Sequence, residues 1–591
     1  MASGAPRVDV REKRNLFPVS KGVPTSVAGF AGPTERGPTG KAVRITSSSQ
    51  FSRIFGGSWA SSYMFEAVDG FFKEGGQTCH IARVVASSGN SAAAFTLQDA
   101  TPTNTIPVTA IGVGLYGNNQ KVKVSKQDTK LGALTVALAT AATFAVVESG
   151  AAAKIQKGDT LKITDGVTTT RVIVKGVSGT KVFFTAAVTL GATIAYATSV
   201  ITNETFTFTV YENGNPIFGP LKDLRMSSLS DRNYFVSRIN KDGNDPEVPV
   251  TVSDAGVAPS GTVDPRPVNT SSDSDGDSLT GGTENTTYAD TDFTGANKGY
   301  NLFDATKEVR LLATPGATGI TVTGAISKGL IAYCAARGDC VAIVETADGL
   351  TASSALTYFS TNQVASSYAA CYWPWVTITD PLSGLPLAVP PAGHVCGAIA
   401  RTHAKEKIAK APAGETSGKL VSVLGVSGVK PGEDLSDSDV GTLYDANINC
   451  IRNLPNNGPT IMGGRTYESG DFGWLHVRLM FIYAEQFLKQ ATRFVLFEPT
   501  TPETRAAVRR TVLAFIRREW GKKNLDGATA DDAGYCNCDD DNNPPSLQAS
   551  GETYAVAGLN VPGTTEYLTI ELGRDNRAIT AELGGLHVDY S

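Results

Sequence analysis

The chain has 591 residues, of which 41% are hydrophobic and only 18% charged, and its formal net charge is -5. That length exceeds one compact core and predicts about three or four domains, while the apolar share excludes a solvating, disordered polymer. With this mild negative balance, nothing at the level of the whole chain points to nucleic acid as a partner. A polar, lightly charged surface suits a protein largely covered by copies of itself.

The opening "MASGAPRVDVREKRN" has no apolar core, so it does not read as a secretory leader. The uncharged run Leu131–Val147 falls slightly short of a bilayer span, is rich in Ala and Thr, and reads as strands, with a membrane span as the second choice. These features predict a soluble chain made in a cytoplasm, with no membrane insertion. Eight cysteines in 591 residues are too few for a disulfide framework, and no C-x-x-C pair occurs.

Residues 1–24 read as an arm, with strand-like alternation at Arg7, Val8, Asp9, Val10 and Arg11 and no local partner strand. "TSVAGFAGPTERGPTG" follows as a short strand broken by Gly-Pro turns. Two helices come next. One opens at the serines of "ITSSSQFSRIFGG"; the other carries Met64, Phe65, Val68, Phe71 and Phe72 on one apolar face and stops at Gly75-Gly76. "CHIARVV" is the next strand. Residues 106–253 read as β-rich, with "QKVKVSK" and "TFTFTVYENG" alternating at period two. Between those strands, 130–203 reads as a small β-module inserted into a pair that belongs together. The Ser-, Thr-, Asp- and Gly-rich stretch 254–300 is expected as a long surface loop.

Organisation then changes. "EVRLLATPG", "AISKGLIAYCAARGD", "CVAIVETADG" and "TASSALTYFSTN" alternate strand and helix, which predicts a largely parallel sheet covered by helices. Beyond 440 the pattern is mixed. Trp474, Val477, Phe481, Ala484, Leu488 and Ala491 step by three and four as one stripe on a long helix. "TPETRAAVRRTVLAFIRREW" starts with a Thr501 cap and Pro502 at the first helical position. "EYLTIEL" and "GLHVDY" end the chain as alternating strands without a hairpin partner. The fold class expected is α/β and α+β multidomain: β-rich outer modules, an α/β domain, and a mixed C-terminal domain with strand-forming arms.

Candidate chemistry is sparse. None of the five histidines lies in a metal-ligand spacing, and there is no G-x-S-x-G, Walker or G-x-G-x-x-G motif. "VPPAGHVCGAIA" sets His394 two residues from Cys396. On a strand these side chains point the same way, too close-set for a catalytic pair oriented by a third group, so both are read as structural. Pro390-Pro391 stiffens the approach, and Trp373 and Trp375 supply buried area. Cys334, Cys340, Cys371, Cys396 and Cys450 read as plain buried thiols. Cys536 and Cys538, in "GYCNCDDD", are expected exposed in an acidic loop that raises their pKa, with an inter-subunit disulfide as their one candidate role. Asp273, Asp275, Asp277 and Glu284 occupy positions one, three, five and twelve of a calcium loop, but Ser278 stands where that loop needs Gly, and a solvated loop is the preferred reading. Arg505, Arg509, Arg510, Arg517 and Arg518 make a basic helix face. It is either simply solvated or docks on an acidic partner; no aromatic interleaving points to nucleic acid.

A larger ordered set of motifs carries a resemblance. "KGVPTSVAGFAGPTERGPTGKAVRITSSSQFSRIFGG", "EGGQTCHIARVV", "YGNNQKVKV", "RGDCVAIVETADG", "SSYAACYWPWVTITDP", "VPPAGHVCGAIART", "NINCIRN", "GGRTY", "VRLMFIYAEQF" and "RFVLFEP" come in one order. Together they resemble the contractile tail sheath proteins of myovirus-type bacteriophages over about 25–125 and 300–570. The resemblance implies a 1–24 linking arm, a 25–105 sheath segment, a β-rich domain of 106–129 plus 204–253, and outer decorations at 130–203 and 254–300. It further implies a subtilisin-like domain without a protease triad at 301–440, a tube-facing domain at 441–566, and a 567–591 linking arm. Val8, Val10, Leu568, Ile570 and Leu572 would give the arms apolar faces for strand addition to neighbours, and the five arginines would face the tube. No enzyme activity, cofactor or nucleic acid is implied. The implied partners are further copies in stacked, hexameric rings, a tube protein, and baseplate and terminator proteins. The implied location is the virion tail sheath after assembly in a host cytoplasm, with a phage-tail-like bacterial injection or secretion device as the alternative.

Overall fold

A computed structural model of the chain describes residues 24–566, apart from 230–232, 242–244, 258, 260–261, 320–323, 363 and 430–432. The chain forms two compact units that divide between Pro499 and Thr500.

The first unit is organised by an eight-stranded sheet in the spatial order Ala42–Ile45, Cys79–Val84, Ala28–Pro33, Leu311–Ala313, Val341–Glu345, Ala369–Trp373, Ile448–Leu454, Gly458–Met462. The six inner strands pair in parallel, and each edge strand is antiparallel to its neighbour. Parallel strands must be covered on both faces, so their sequences read as apolar runs. Successive residues accordingly serve two cores. Phe30, Ile81, Ile343, Ala370 and Tyr372 enter one; Ala31, Ala82, Ala342, Val344 and Cys371 enter the other. The first core is closed by helices Ser48–Phe55, Met64–Lys73, Ala392–Lys405 and Leu475–Ala491, and the second by Ala325–Arg337 and Ala352–Asn362. One sheet therefore joins stretches that the sequence reading had set apart as 25–105, 301–440 and 441–566.

Two local expectations are corrected here. His394 and Cys396 do not share a strand: they lie on the Ala392–Lys405 helix, both buried. The reason is tertiary. Gly393 and Gly397 let this helix approach Met64–Lys73 so closely that a Cβ at Gly393 would stand 2.1 Å from the Ala67 carbonyl oxygen. In return, Gly70 leaves room for the His394 ring, which lies 2.5 Å from where its Cβ would be. The Leu475–Ala491 helix buries only part of the expected stripe: Val477 and Ala484 are buried, Phe481 and Leu488 half-buried and Trp474 is the N-cap, while Leu475, Leu479 and Ile482 supply its core contacts.

A second body of β structure lies between the first helices and the rest of the sheet in sequence. Gln120–Gly132 and Val200–Glu212 form a long antiparallel ribbon, and Asn215–Leu224 folds back on the latter. Asn213 and Gly214 take φ of 50° and 79° at the turn, the left-handed geometry for which Asn-Gly is suited. Phe206, Phe208, Val210 and Val122 pack with Leu97, Ile106 and Val108 of a three-stranded sheet. Farther along the ribbon, Leu134, Ile163, Val174, Val182, Phe184 and Ile201 make a separate core drawn wholly from 134–201. Within the run Leu131–Val147 only its first two residues and Phe144–Val146 are strand; turns fill the rest.

The stretch 254–300, expected as a surface loop, is largely irregular and exposed among its described residues, but it is pinned at several points. Arg266 is 3% exposed and donates to Asp264, Asp128 and Glu204 and to the carbonyls of Gln127 and Thr205. Val268 N–H bonds the Gln98 carbonyl, and Phe293 is buried in the second core. A buried guanidinium with its donors matched to carboxylates fixes a segment that has almost no regular structure.

In the second unit the Pro502–Gly521 helix starts as expected, with the Thr501 hydroxyl accepting from Thr504 N–H and Pro502 in the first turn. Its buried residues Val508, Val512, Phe515 and Ile516 are accompanied by a two-stranded antiparallel sheet, Gly534–Asn537 with Val556–Leu559. No other strand joins this sheet among the described residues.

Candidate interaction surfaces

The basic helix face divides. Arg505 is 3% exposed and bonds Asp540, so it belongs to the interior of its unit and is withdrawn from the exposed stripe. Its place follows from spacing: Arg505, Val508, Val512 and Glu519 fall on the buried side of one helix. Arg509, Arg510, Arg517 and Arg518 remain exposed. Arg517 lies 3.9 Å from Asp531, both largely solvated, and such a pair contributes little.

Cys536 and Cys538 are buried at 1% and 3% exposure, which corrects their assignment as exposed thiols open to an inter-subunit disulfide. Cys536 lies on the Gly534–Asn537 strand and Cys538 just past its end, both with buried side chains. Burial, more than the neighbouring carboxylates, pushes both thiols up. All eight cysteines are free and buried.

The calcium candidate does not assemble. Asp277 is 2% exposed and is already filled by bonds from Asn269 Nδ2, Thr270 N and Oγ1, and Ser271 N. Asp273 pairs with Lys121 at 2.5 Å. Glu284 stands in the field of Arg83 instead. Among the described residues no group of three His, Cys, Asp or Glu is placed to hold a metal ion, and no helix is long and apolar enough to cross a membrane.

His394 and Cys396 are held as scaffold. Burial pushes His394 down to about 4 and Cys396 far up, so neither is poised for proton transfer or attack near neutral pH. Trp373 and Trp375 are 5% exposed and donate their Nε1–H groups to the Leu350 and Thr346 carbonyls. Beside them Glu345, at the end of its strand, accepts from Gly316 N–H at 2.8 Å and Ala392 N–H at 3.2 Å. Burial raises its carboxyl to about 8.

Val8, Val10, Leu568, Ile570 and Leu572 lie outside the described residues. The point where the described chain begins is firmly held. Arg310 Nε donates to the Pro24 carbonyl at 3.2 Å, and its backbone N–H donates to the Val27 carbonyl. The His403 ring bonds the Thr25 carbonyl at 3.2 Å. Burial pushes His403 down to about 4, so it is neutral and can donate from Nδ1. Sequence reasoning did not single out Arg310 or His403; an Arg before an apolar run and a His on an apolar helix were their only signals.

The architecture that carries these surfaces has relatives. Residues 291–467 match the family model of the phage tail sheath protein central domain. The chain is 28% identical over 187 residues to the tail sheath protein of Salmonella phage ViI, covering 31% of this chain and 28% of that protein. It is 24% identical over 264 residues to the tail sheath protein of Enterobacteria phage T4, covering 42% and 38%. The matches thus span less than two fifths of each curated relative. In overall fold the chain resembles the helical sheath of the anti-feeding prophage in its contracted state, with a TM-score of 0.51 at 14% identity over 97% of this chain and 100% of that one. Over residues 291–467 the chain is thus similar to the central domain of the tail sheath proteins, which are structural proteins.

Proposed function

We propose that the chain is a structural subunit of a contractile tail sheath. It polymerises as stacked rings around a tail tube and shortens to drive that tube through a host envelope. The observation that carries this reading is the two-stranded sheet of the second unit. A two-stranded sheet is marginal alone, and here it has one helix behind it and no third strand among the described residues. Strands supplied by residues 1–24 and 567–591 of neighbouring copies would extend it by β-augmentation, through Val8 and Val10 and through Leu568, Ile570 and Leu572. Such tethers let rigid bodies turn while their hydrogen bonds persist, and a head-to-tail contact that does not close gives a helical polymer.

In this reading 301–440 is a subtilisin-like scaffold without catalytic residues, 441–566 faces the tube, and 130–203 is an outer decoration. The energy of contraction comes from surface newly buried between rings, so no nucleotide is required. The sheath assembles in the host cytoplasm and ends in the virion, bounded by baseplate and terminator proteins. The fold likeness to an anti-feeding prophage sheath favours a second reading, a phage-tail-like injection device built in the same way.

Arg509, Arg510, Arg517 and Arg518 are the tube-facing set. The double variant Arg509→Glu, Arg517→Glu should fold as the parent does and fail to co-sediment with tube polymer. Undiminished co-sedimentation would remove the helix from the tube face.

A further inference from the structure

We infer that a basic cleft of about 670 Å³ in the first unit takes the acidic loop 539–541 of a second copy of this chain. The inference rests on the polymer reading above and names one contact within it.

The cleft lies where two helices end and two strands of the central sheet begin. Lys489 is in the last turn of the Leu475–Ala491 helix, and Arg493 opens the turn that follows. Arg337 ends the Ala325–Arg337 helix, while Lys307 and Asp339 come just before the strands Leu311–Ala313 and Val341–Glu345. The wall holds these four cations and the one carboxylate, completed by two glutamines, a threonine and a leucine. That balance stands against a net charge of -5 for the whole chain.

Arg337 and Asp339 cancel. The guanidinium donates to Asp339 at 2.6 Å and to the Phe303 and Thr306 carbonyls, and Arg310 adds a second cation 3.6 Å from that carboxylate. Lys307, Lys489 and Arg493 are exposed and have no ion pair among the described residues. The plain explanation is that cations settle at helix C-terminal ends, but such an end carries only about half a negative charge. It accounts for less than one of the three. The excess calls for an anionic partner.

Residues 1–23 of the same chain are the wrong partner. Pro24 lies beside the cleft, its carbonyl bonded by the same Arg310 that takes the Lys307 and Asp339 carbonyls. Yet residues 1–23 hold five Lys and Arg against two Asp and Glu. The acidic stretches are separated by what they already bind. In 273–277, Asp273 pairs with Lys121 and Asp277 is filled; in 433–439, Asp434 and Asp437 hold Arg452. Residues 524–553, in the second unit, carry seven carboxylates and no Lys or Arg. Their densest run is Asp539, Asp540 and Asp541. Asp540 bonds Arg505, whereas Asp539 and Asp541 have no ion pair among the described residues. A basic surface on one unit that complements an acidic one on the other gives a head-to-tail contact between copies, the kind that builds a helical polymer when it does not close.

Charge reversal tests the pairing on the full chain, with polymer growth read by light scattering. Lys489→Glu with Arg493→Glu, and separately Asp539→Lys with Asp541→Lys, should each slow growth at least about tenfold, because like charges then meet. Melting temperatures should stay at the parent's. Mixed in equal amounts, the two variants should grow again, since each cleft then finds a loop of opposite charge on the other variant. Lys489→Gln with Arg493→Gln should also slow growth, by less than the Glu pair, and it carries the test if reversal prevents folding. Growth of every variant at the parent's rate overturns the cleft and leaves the polymer reading standing. Slowed growth that mixing does not restore overturns the loop as its occupant. A parent chain that never polymerises overturns both readings.

Discussion

The central sheet and the module at the far end of the Gln120–Gly132 ribbon are both β structure with apolar cores, but they are assembled from different distances. The sheet gathers strands from Ala28 to Met462 and is covered by helices that come from as far apart as Ser48–Phe55 and Leu475–Ala491. The module closes its core within 134–201. It returns to the chain through the ribbon, and through ion pairs such as Arg225 with Asp159 at 2.8 Å and Arg171 with Glu204 at 2.8 Å. A core of non-local origin must form as one piece, whereas a local core can open without it. The difference marks the sheet as the framework and the module as an attachment.

The sharpest way to break this contrast is to damage the framework. Phe30 is fully buried and meets Phe71 edge-on with ring centroids 5.7 Å apart. Phe30→Ala should cost about 3–5 kcal/mol, and hydrogen exchange should quicken across all inner strands of the sheet while the module keeps its protection. Equal loss in both regions would make them one cooperative unit. The converse is Ile163→Ala in the module core, worth about 2–5 kcal/mol. Exchange should rise within 134–201 alone.

A pH experiment sharpens the account of the framework. Burial raises the Glu345 carboxyl to about 8 from an ordinary 4.5. A raised folded pKa stabilises fully below the unfolded value and is lost as pH rises through the folded one. Between about pH 4.5 and 8, Glu345 should therefore remove stability by up to about 1.4 kcal/mol per pH unit, and Glu345→Gln should flatten that slope in denaturant melts. A slope unchanged by the substitution would show that Glu345 is ionised in the fold. The smallest effect belongs to the second unit: Thr501→Ala removes a helix cap and should cost about 1 kcal/mol, visible as faster exchange at the start of the Pro502–Gly521 helix only.

How much of this was legible in sequence depended on where the deciding contact lies. The inner strands were readable because burial on both faces leaves an apolar run that local sequence displays, and the Thr501-Pro502 start carries its own chemistry. The Ala392–Lys405 helix was misread because "AGHVCGAIA" has no strong helical period. Its state is set by Gly393 and Gly397 meeting a helix hundreds of residues earlier. Arg505 was placed with its charge and not with its spacing, though Val508 and Val512 already marked its side of the helix as buried. Cys536 and Cys538 were hidden by the acidic run beside them, since composition around a strand does not report what packs on its inner face.

The central claim is that copies of this chain join through residues 1–24 into a sheath, and electron microscopy of the purified chain with and without those residues tests it most directly. The account predicts tubes or stacked rings from the full chain and dispersed, folded particles after deletion. A full-length chain that stays monomeric under every salt condition, or a truncated one that still polymerises, would contradict it.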